Sequence, residues 1–248
     1  MLDPAIQATF EACLDAVRRG DEAAMRSCFR EDAEGYTTLG GELRGPDSFT
    51  GVLRAIHGRL PGFRMEPLRT YGEGPEMAAR MRLLASGKEA ESLFAFRFDP
   101  EGRIARLIVL WEPSELLDAE PGRLDPALHA AVEAYFRTYN DDDEAAHMAL
   151  VSPDLVYFGA VSRMTAEGLE TARGIFRTAH DRMGLKRFDP MRIFGTGPHV
   201  AVLARIRGAG AGGPTEEGIW VFRFDAKNRF DRVSVLWNPG TFLTWNHK

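Results

Sequence analysis

The sequence predicts an α+β protein made of two copies of one domain, each with three helices packed on a curved antiparallel β-sheet. Three observations support this fold class. Segments about 125 residues apart repeat in the same order along the chain. Each copy starts with helical patterns and ends with segments rich in β-branched and aromatic residues. The hydrophobic content of 44% in 248 residues gives each half enough apolar material for its own core.

The repeat is collinear throughout and indicates a tandem duplication. Its longest match, FRFDPEGRIARLIVLWEPSELL at 96–117 against FRFDAKNRFDRVSVLWNPGTFL at 222–243, shares 11 of 22 residues, where unrelated sequences share roughly one or two. The other matches are LDPA at 2–5 and 124–127, DEAA at 21–24 and 143–146, and RMEPLRTYGEGP at 64–75 with RFDPMRIFGTGP at 187–198. We therefore predict two domains, 1–118 and 119–248, joined near SELLDAEPGRLDP.

Each copy is predicted to contain the same elements in the same order. An Asp-Pro pair supplies an N-cap and a first-turn proline, so an amphipathic helix starts there and ends near Arg19 in one copy and Tyr139 in the other. A second short helix begins at DEAA. In the first copy a short strand follows around 33–39 and a third helix covers about 46–59. Four extended segments complete each copy.

Charge and composition exclude several classes of protein. The net charge of −5 and pI near 5.7 argue against an extended nucleic-acid-binding surface, which is usually basic. No window approaches the roughly 20 apolar residues of a membrane span, and the N-terminus lacks a signal-peptide pattern, so we expect a cytoplasmic protein. Cys13 and Cys28 both lie in predicted helices, and we expect reduced, buried thiols.

Common cofactor and metal motifs are absent. One GxGxxG run, at 208–213, leads into the strand-like segment EEGIWVFRF and lacks the helix N-terminus that would bind phosphate, so we assign it to a hairpin. The six histidines show no ligand spacing, and the acidic run at 141–144 favours the positive end of a helix. The sequence therefore implies no metal and no cofactor.

The order of elements carries a family resemblance. Helix, helix, strand, helix and four strands, with GDEAAM and CFREDA near the start and G-R-I-x4-V-L-W-E closing the last strand, resembles the NTF2-like superfamily. The similarity is greatest to SnoaL-like polyketide cyclases and ketosteroid-isomerase-like proteins, and it extends over both repeats. It implies cone-shaped domains that enclose an apolar pocket and often dimerise through their sheets. We therefore expect an intrachain pseudo-dimer, with further homo-oligomerisation left open.

The two copies differ at a position where the resemblance implies chemistry. The last strand ends in VLWEP in the first copy and VLWNP in the second, so Asn238 replaces Glu112. The resemblance to SnoaL-like proteins implies a pocket acid or base at this strand end, which makes Glu112 the candidate general acid/base. The alternative is a solvent-exposed glutamate at a strand end before Pro113. We therefore expect the first copy to be active and the second to be a pseudo-domain, with Asn238 a candidate ligand contact only.

Tyrosines also distinguish the copies. Tyr36 and Tyr71 of the first copy are phenylalanines in the second, so we predict that both phenols bind the substrate. Cys13 becomes Tyr135, close to the first-helix tyrosine of ketosteroid-isomerase-like proteins. The carboxylates of that pattern are missing, so its chemistry is not predicted, and Tyr135 remains a candidate for ligand binding.

Histidines and tryptophans occupy matched positions in the two copies. His57 and His180, at the end of the third helix, either face the pocket mouth and titrate near neutrality or are caps and packing residues. Trp111 and Trp237 either line a pocket or belong to the core. Strand alternation places Glu112 and Trp111 on opposite faces, so the two cannot line the same pocket.

These observations lead to one functional hypothesis and two alternatives. The hypothesis is a cofactor-free enzyme that cyclises, dehydrates or isomerises an apolar small molecule, for example a polyketide-like intermediate, with Glu112 as acid/base and His57 as its partner. The alternatives are a non-catalytic carrier or sensor of a small ligand and a protein-association scaffold. The sequence alone does not identify the substrate or the reaction.

Overall fold

The computed structural model describes residues 3–72, 75–118, 122–159, 164–181, 185–208 and 213–238. The chain forms two compact units, Met1–Arg123 and Leu124–Lys248. Each unit has the same element order, with three helices and a six-stranded sheet. The α+β duplication predicted from the sequence is therefore confirmed.

Six helices were expected and six are present in the described chain. The first unit contains α1 (Pro4–Arg19), α2 (Glu22–Ser27) and α3 (Pro46–Arg59), and the second contains α4 (Pro126–Asn140), α5 (Glu144–Ala149) and α6 (Leu169–Asp181). The predicted Asp-Pro starts are correct, because the side chains of Asp3 and Asp125 accept hydrogen bonds from backbone amides at 2.8 and 2.7 Å. Helix α1 ends at Gly20 in the left-handed conformation.

The sheet of each unit contains one more strand than the sequence predicts. The first sheet has the order β2-β1-β6-β5-β4-β3, and the second has the order β8-β7-β12-β11-β10-β9. The strands of the first sheet are β1 (Phe29–Thr37), β2 (Gly41–Arg44), β3 (Arg64–Tyr71), β4 (Glu76–Ala85), β5 (Lys88–Phe98) and β6 (Ile104–Trp111). Those of the second are β7 (Val151–Gly159), β8 (Met164–Glu167), β9 (Leu185–Phe194), β10 (His199–Gly208), β11 (Thr215–Phe224) and β12 (Phe230–Trp237).

One strand pair in each sheet is parallel, whereas the other pairs are antiparallel. Strand β1 pairs with β6, and β7 with β12, in the parallel sense. These partners are not joined by a hairpin, since a helix and four strands separate them along the chain, so no short turn imposes the antiparallel direction. The sheet is otherwise the antiparallel one predicted.

The core of each unit lies between the helices and one face of its sheet. In the first unit, Phe10 of α1 packs edge-on against Phe96 of β5, with ring centres 5.4 Å apart. In the second unit, Phe136 of α4 packs in the same way against Trp220 of β11 at 5.5 Å. Strand alternation decides which residues face this core, and it therefore decides which residues can line a cavity there.

Two further sequence predictions concern cysteines and membrane spans. Cys13 and Cys28 are buried and free, as expected for reduced core thiols. Within the described ranges, no helix is long and apolar enough to cross a membrane. The glycine run lies between the antiparallel strands β10 and β11, but its residues 209–212 fall outside the described residues.

Candidate functional site

Each unit has a cavity between its helices and its sheet, and the two cavities differ greatly in size. The cavity of the first unit has a volume of about 60 Å³. The cavity of the second unit has a volume of about 490 Å³. Ligand pockets typically measure 300–1,000 Å³, so the second cavity has the size of a small-molecule site and the first does not.

Aromatic side chains fill the first cavity. Phe49 of α3 stacks on Phe29 of β1, with ring centres 4.4 Å apart and planes 19° apart. The matched positions of the second unit hold Ala172 and Val151, which both line the larger cavity. The replacement of two stacked rings by smaller side chains opens this space.

At a third matched position, the backbone leaves no room for a side chain in the first unit, whereas the second unit has a tyrosine there. Gly35 in β1 has the carbonyl oxygen of Leu107 next to it, and a Cβ placed on Gly35 would lie 2.1 Å from that oxygen. The corresponding residue of the second unit is Tyr157, which lines the cavity. The first unit therefore has no space for the side chain that its repeat carries.

The wall of the second cavity is largely apolar and aromatic. Among the described residues, no Lys, Arg, Asp or Glu lines it. The side chains that bring nitrogen or oxygen atoms to the wall are Tyr135, Tyr139, His147, Tyr157, Thr171, Thr178, Trp220 and Trp237. A ligand enclosed here would meet neutral hydrogen-bonding groups and no fixed charge.

His147 is the only histidine among the described lining residues of this cavity. Its contacts indicate which ring nitrogen carries the proton. Its Nδ1 lies 3.0 Å from the hydroxyl oxygen of Thr138. That hydroxyl donates its proton to the carbonyl of Ala134 at 2.8 Å, so it accepts from Nδ1–H. Nε2 is then the unprotonated nitrogen. Burial lowers the pKa of His147 to about 4, so the ring is neutral at pH 7.

Three phenols share the cavity with this imidazole. The ring of Tyr135 packs edge-on against Phe222 and Phe230, with ring centres 5.0 and 5.1 Å apart. The hydroxyl of Tyr139 is buried without a hydrogen-bond partner among the described residues. Burial raises the pKa of all three phenols. Neighbouring phenols add to this effect at Tyr135, and Tyr157 and the Asp142 carboxylate add to it at Tyr139. The three phenols therefore stay protonated and act as donors.

His180 lies behind the wall of the cavity. Its ring packs on Tyr139, with centres 4.2 Å apart and planes tilted by 34°, but it is not a lining residue. Its Nδ1 lies 3.4 Å from a carboxylate oxygen of Asp142. Burial lowers the pKa of His180, and the negative charge of Asp142 opposes this effect.

The cavity opens along helix α6. Thr171, Gly174 and Thr178 line the cavity and are also exposed, and they lie on one face of this helix. An added Cβ on Gly174 would meet no atom within 4 Å. The mouth is therefore rimmed by small and hydroxyl-bearing side chains.

Glu112 lies outside the cavity of the first unit, contrary to the expectation that it points into an apolar pocket. Its Oε1 accepts hydrogen bonds from the backbone amide of Ser114 at 3.1 Å, the Ser114 hydroxyl at 2.9 Å and the amide of Gly122 at 3.1 Å. It caps the short 3-10 helix Pro113–Glu115. Leu107, Val109 and Trp111 face the cavity instead, because side chains alternate along β6.

The other candidates of the first unit also lie outside its cavity, apart from Trp111. His57 places Nε2 2.7 Å from the carbonyl oxygen of Val17 and so joins α3 to α1. Tyr36 is half-buried and Tyr71 is buried, and neither lines the cavity. The structure thus does not bring Glu112, His57, Tyr36 and Tyr71 together around one space.

In the second unit, two of the four sequence candidates line the cavity. Tyr135 and Trp237 belong to its wall, whereas His180 lies behind it. Asn238 follows the last residue of β12 and is not a lining residue. The described residues also contain no group of three or more His, Cys, Asp or Glu side chains arranged to hold a metal ion.

Tyr139, His147 and Tyr157 are among the polar lining residues that the sequence analysis missed. A signal for them exists in the repeat. At an offset of 122 residues they replace Val17, Met25 and Gly35, so each introduces a polar group where the first copy has none. A residue-by-residue alignment of the copies would have identified the second as the one with a polar pocket.

Comparisons with known proteins agree with this architecture. A family profile described as a SnoaL-like domain matches residues 10–107 and 132–233. A SnoaL-like protein of unknown function from Burkholderia thailandensis is 20% identical with a TM-score of 0.40, over 45% of this chain and 98% of its own. A putative SnoaL-like polyketide cyclase from Shewanella denitrificans is 19% identical with a TM-score of 0.40, over 48% and 96%.

A third similar structure carries a different name. It is an LEH-like epoxide hydrolase from M. tuberculosis, 19% identical with a TM-score of 0.38, over 45% of this chain and 86% of its own. A comparison with curated protein sequences gave no match. Each of these three structures covers less than half of this chain, which is the extent of one repeat.

Proposed function

The chain belongs to the SnoaL-like domain family, and on that basis we propose that its second repeat is a cofactor-free acid–base enzyme acting on an uncharged, apolar carbonyl compound. One observation carries the proposal. In a cavity of about 490 Å³ whose described lining contains no charged residue, the unprotonated Nε2 of His147 shares the space with three protonated phenols. A base and hydrogen-bond donors are the groups needed for enolisation.

The proposed chemistry begins at a carbon next to the carbonyl group. Nε2 of His147 accepts a proton from this carbon, and the electron pair moves to the carbonyl oxygen. Tyr135 and Tyr157 donate hydrogen bonds to that oxygen and stabilise the enolate. The imidazolium then returns its proton. Return of the proton to a different carbon of a conjugated enolate completes an isomerisation. In a cyclisation the enolate carbon attacks a second carbonyl group, whose oxygen takes the proton from the imidazolium. In a dehydration the β-hydroxyl group takes that proton and leaves as water.

The proposal assigns the two copies differently from the sequence analysis. The catalytic roles of Glu112 and His57 remain predictions, but the contacts of both residues fit structural roles, as a helix cap and as a link between helices. The first repeat, with a cavity of about 60 Å³, serves in this proposal as a supporting domain. Polyketide-like compounds, which carry several carbonyl groups on an apolar frame, are the substrates we favour.

A second candidate function is a carrier or sensor of the same class of ligand. The observation that favours it is the absence of a carboxylate among the described lining residues. The low pKa of His147, about 4, also makes its imidazole a weak base. In this alternative the phenols and the imidazole bind the ligand without transferring a proton.

Deuterium exchange tests the enzymatic proposal. 2-Tetralone, an uncharged bicyclic ketone with acidic protons next to its carbonyl, is incubated with the protein in deuterium oxide, and exchange is followed by NMR. We expect wild type to accelerate exchange and His147→Gln to lower the rate by about 10²-fold, the usual contribution of a general base. Tyr135→Phe should lower it by on the order of tenfold through the loss of one donor.

Two matched variants in the first repeat serve as controls. Glu112→Gln and His57→Gln should exchange at the wild-type rate. Loss of exchange in Glu112→Gln with full exchange in His147→Gln would assign the active site to the first repeat and refute the proposal. Binding of the uncharged dye Nile red without any accelerated exchange would favour the carrier.

A further inference from the structure

The segment after helix α4 contains a carboxylate at a backbone position that suits glycine. Asp142 has φ +56, in the left-handed region that residues with a side chain seldom adopt. The matched residue of the first repeat is Gly20, with φ +64. The second repeat therefore retains a side chain where the backbone favours none, and such departures from the favoured residue occur often at functional sites.

The carboxylate of Asp142 lies beside a buried imidazole. Its Oδ1 is 3.4 Å from Nδ1 of His180, whose side chain is 7% exposed while that of Asp142 is 72% exposed. Nε2 of His180 is buried and has no hydrogen-bond partner among the described residues. The negative charge of this carboxylate favours a proton on the nearer nitrogen, so we expect Nδ1 to carry the proton of the neutral ring.

The imidazole continues into a stack of rings that ends at the cavity. The ring of His180 packs on Tyr139 at a tilt of 34°, with ring centres 4.2 Å apart, and Tyr139 stacks on Phe188 at 4.2 Å. Tyr139 and Phe188 both line the cavity. In the first repeat the residues matched to Tyr139 and Phe188 are Val17 and Met65, so this stack is specific to the second.

We propose that Asp142 and His180 form a positioning pair for the cavity of the second repeat. Asp142 fixes the orientation of the imidazole at the protein surface, and the imidazole fixes the ring of Tyr139 in the cavity wall. Tyr139 thereby presents a defined surface to an uncharged, apolar ligand. The pair acts on the cavity that we propose as the active site. The class of ligand expected there rests on the proposed function.

Other charged groups around His180 do not duplicate this contact. Asp181 and Lys186 act on the imidazole with opposite signs, and His147 is the other titratable ring close enough to influence it. Lys186 donates to the backbone carbonyl of His180 at 3.4 Å and leaves the ring free. Asp142 is thus the carboxylate whose contact with the ring is within ion-pair distance in the described chain.

The substitution Asp142→Gly tests the pair with little risk to the fold, because glycine suits the backbone and stands at the matched position of the first repeat. We expect an unchanged or higher melting temperature. At pH 7.5, ¹⁵N NMR of the imidazoles should show His180 protonated at Nδ1 in wild type and as a mixture of tautomers in the variant. The ¹³C ring signals of Tyr139 should shift and sharpen, while those of Tyr157 stay in place.

Binding supplies the functional readout. Nile red affinity should fall by on the order of tenfold in Asp142→Gly, as for the loss of a residue that orients a ligand contact. Asp142→Asn, which keeps a hydrogen-bond acceptor, should recover part of the affinity. Asp141→Asn, which removes a neighbouring charge, should behave as wild type.

The NMR readouts need no ligand, so they separate failure of the pair from failure of the proposed function. If wild type binds no dye but Asp142→Gly still changes the signals of His180 and Tyr139 as expected, the role of the cavity is refuted and the positioning pair is supported. Unchanged tautomer and Tyr139 signals in Asp142→Gly overturn the pair. Altered signals with dye affinity within about twofold of wild type overturn its effect on the cavity.

Discussion

Replacement of His147 by methionine should make the free energy of unfolding of the second repeat less sensitive to acid. His147 is 4% exposed, and burial lowers its pKa from 6.5 to about 4. Between these values the unfolded chain binds a proton at His147 and the native chain does not. The protonation of His147 therefore does not lower the free energy of unfolding above about pH 6.5, and it lowers this free energy increasingly as the pH falls towards 4. Methionine is the residue at the matched position, Met25, in the first repeat.

The size of this effect follows from the difference between the two pKa values. The shift from 6.5 to about 4 corresponds to roughly 3 kcal/mol at about 1.4 kcal/mol per pH unit. The contribution is lost progressively, so about half of it should already be gone near pH 5. His180, whose pKa burial also lowers, adds a loss of the same sign that wild type and variant share.

Urea unfolding followed by tryptophan fluorescence measures the effect. Three of the four tryptophans, Trp220, Trp237 and Trp245, belong to the second repeat, so the signal mainly reports that unit. The free energy of unfolding should drop between pH 7.5 and pH 5 in wild type, and by roughly 1–2 kcal/mol less in His147→Met. Carboxylates with lowered pKa values, such as Asp225 and Glu144, lose their contribution at lower pH and do not obscure this range.

A control and a refuting result complete the test. His129→Met replaces a partly exposed histidine of α4 and should keep the wild-type pH dependence. Identical slopes for wild type and His147→Met between pH 7.5 and pH 5 would show that His147 is not buried as a neutral group. The base assigned to the cavity would then lose its physical support.

Three further predictions concern the cavity, the hairpins and the arrangement of the repeats. Ala172→Phe should fill the second cavity as Phe49 fills the first. We expect a folded protein whose Nile red affinity falls by at least about tenfold in a fluorescence titration. Undiminished binding would place the ligand elsewhere. Asp225→Ala should lower the free energy of unfolding by roughly 1–2 kcal/mol, because the carboxylate that accepts from the amides of Lys227 and Arg229 at 2.8 and 2.9 Å is lost. Urea denaturation without a shift would contradict this. The intrachain pseudo-dimer predicted from the sequence should give the small-angle scattering profile of one compact particle, which two separated lobes would exclude.

The fold could be predicted from the sequence because its signals are local and occur twice. The third helix was expected at about 46–59 and is found at Pro46–Arg59, since its apolar period and the glycine before it are clear in both copies. Strand β2 (Gly41–Arg44) was not predicted, because four residues are too few for an alternation pattern. The parallel pairing of β1 with β6 joins distant segments, and no local pattern encodes it.

The site was harder to predict because it depends on packing between distant residues. The volume of the cavity follows from contacts such as Phe49 on Phe29, which hydrophobic periodicity does not reveal. The change from Glu112 to Asn238 removes a charge and so indicated chemistry, yet Glu112 caps a 3-10 helix. Tyr135 and Trp237 were identified, whereas His147 was missed because methionine and histidine are both compatible with a helix interior.

The close contact at Gly35 makes the divergence of the two repeats difficult to reverse. A tyrosine at this position, as in the second repeat, would require β1 to move away from the Leu107 carbonyl, and the Phe49 ring, 2.8 Å from a Cβ placed there, would also have to move. No single substitution restores the phenol, and each intermediate would carry a steric clash or an unfilled core. A pocket of the kind proposed for the second repeat is therefore not reached in the first by single tolerated steps, because a side chain at Gly35 or a smaller residue at Phe49 would each lower stability before a phenol could enter the cavity.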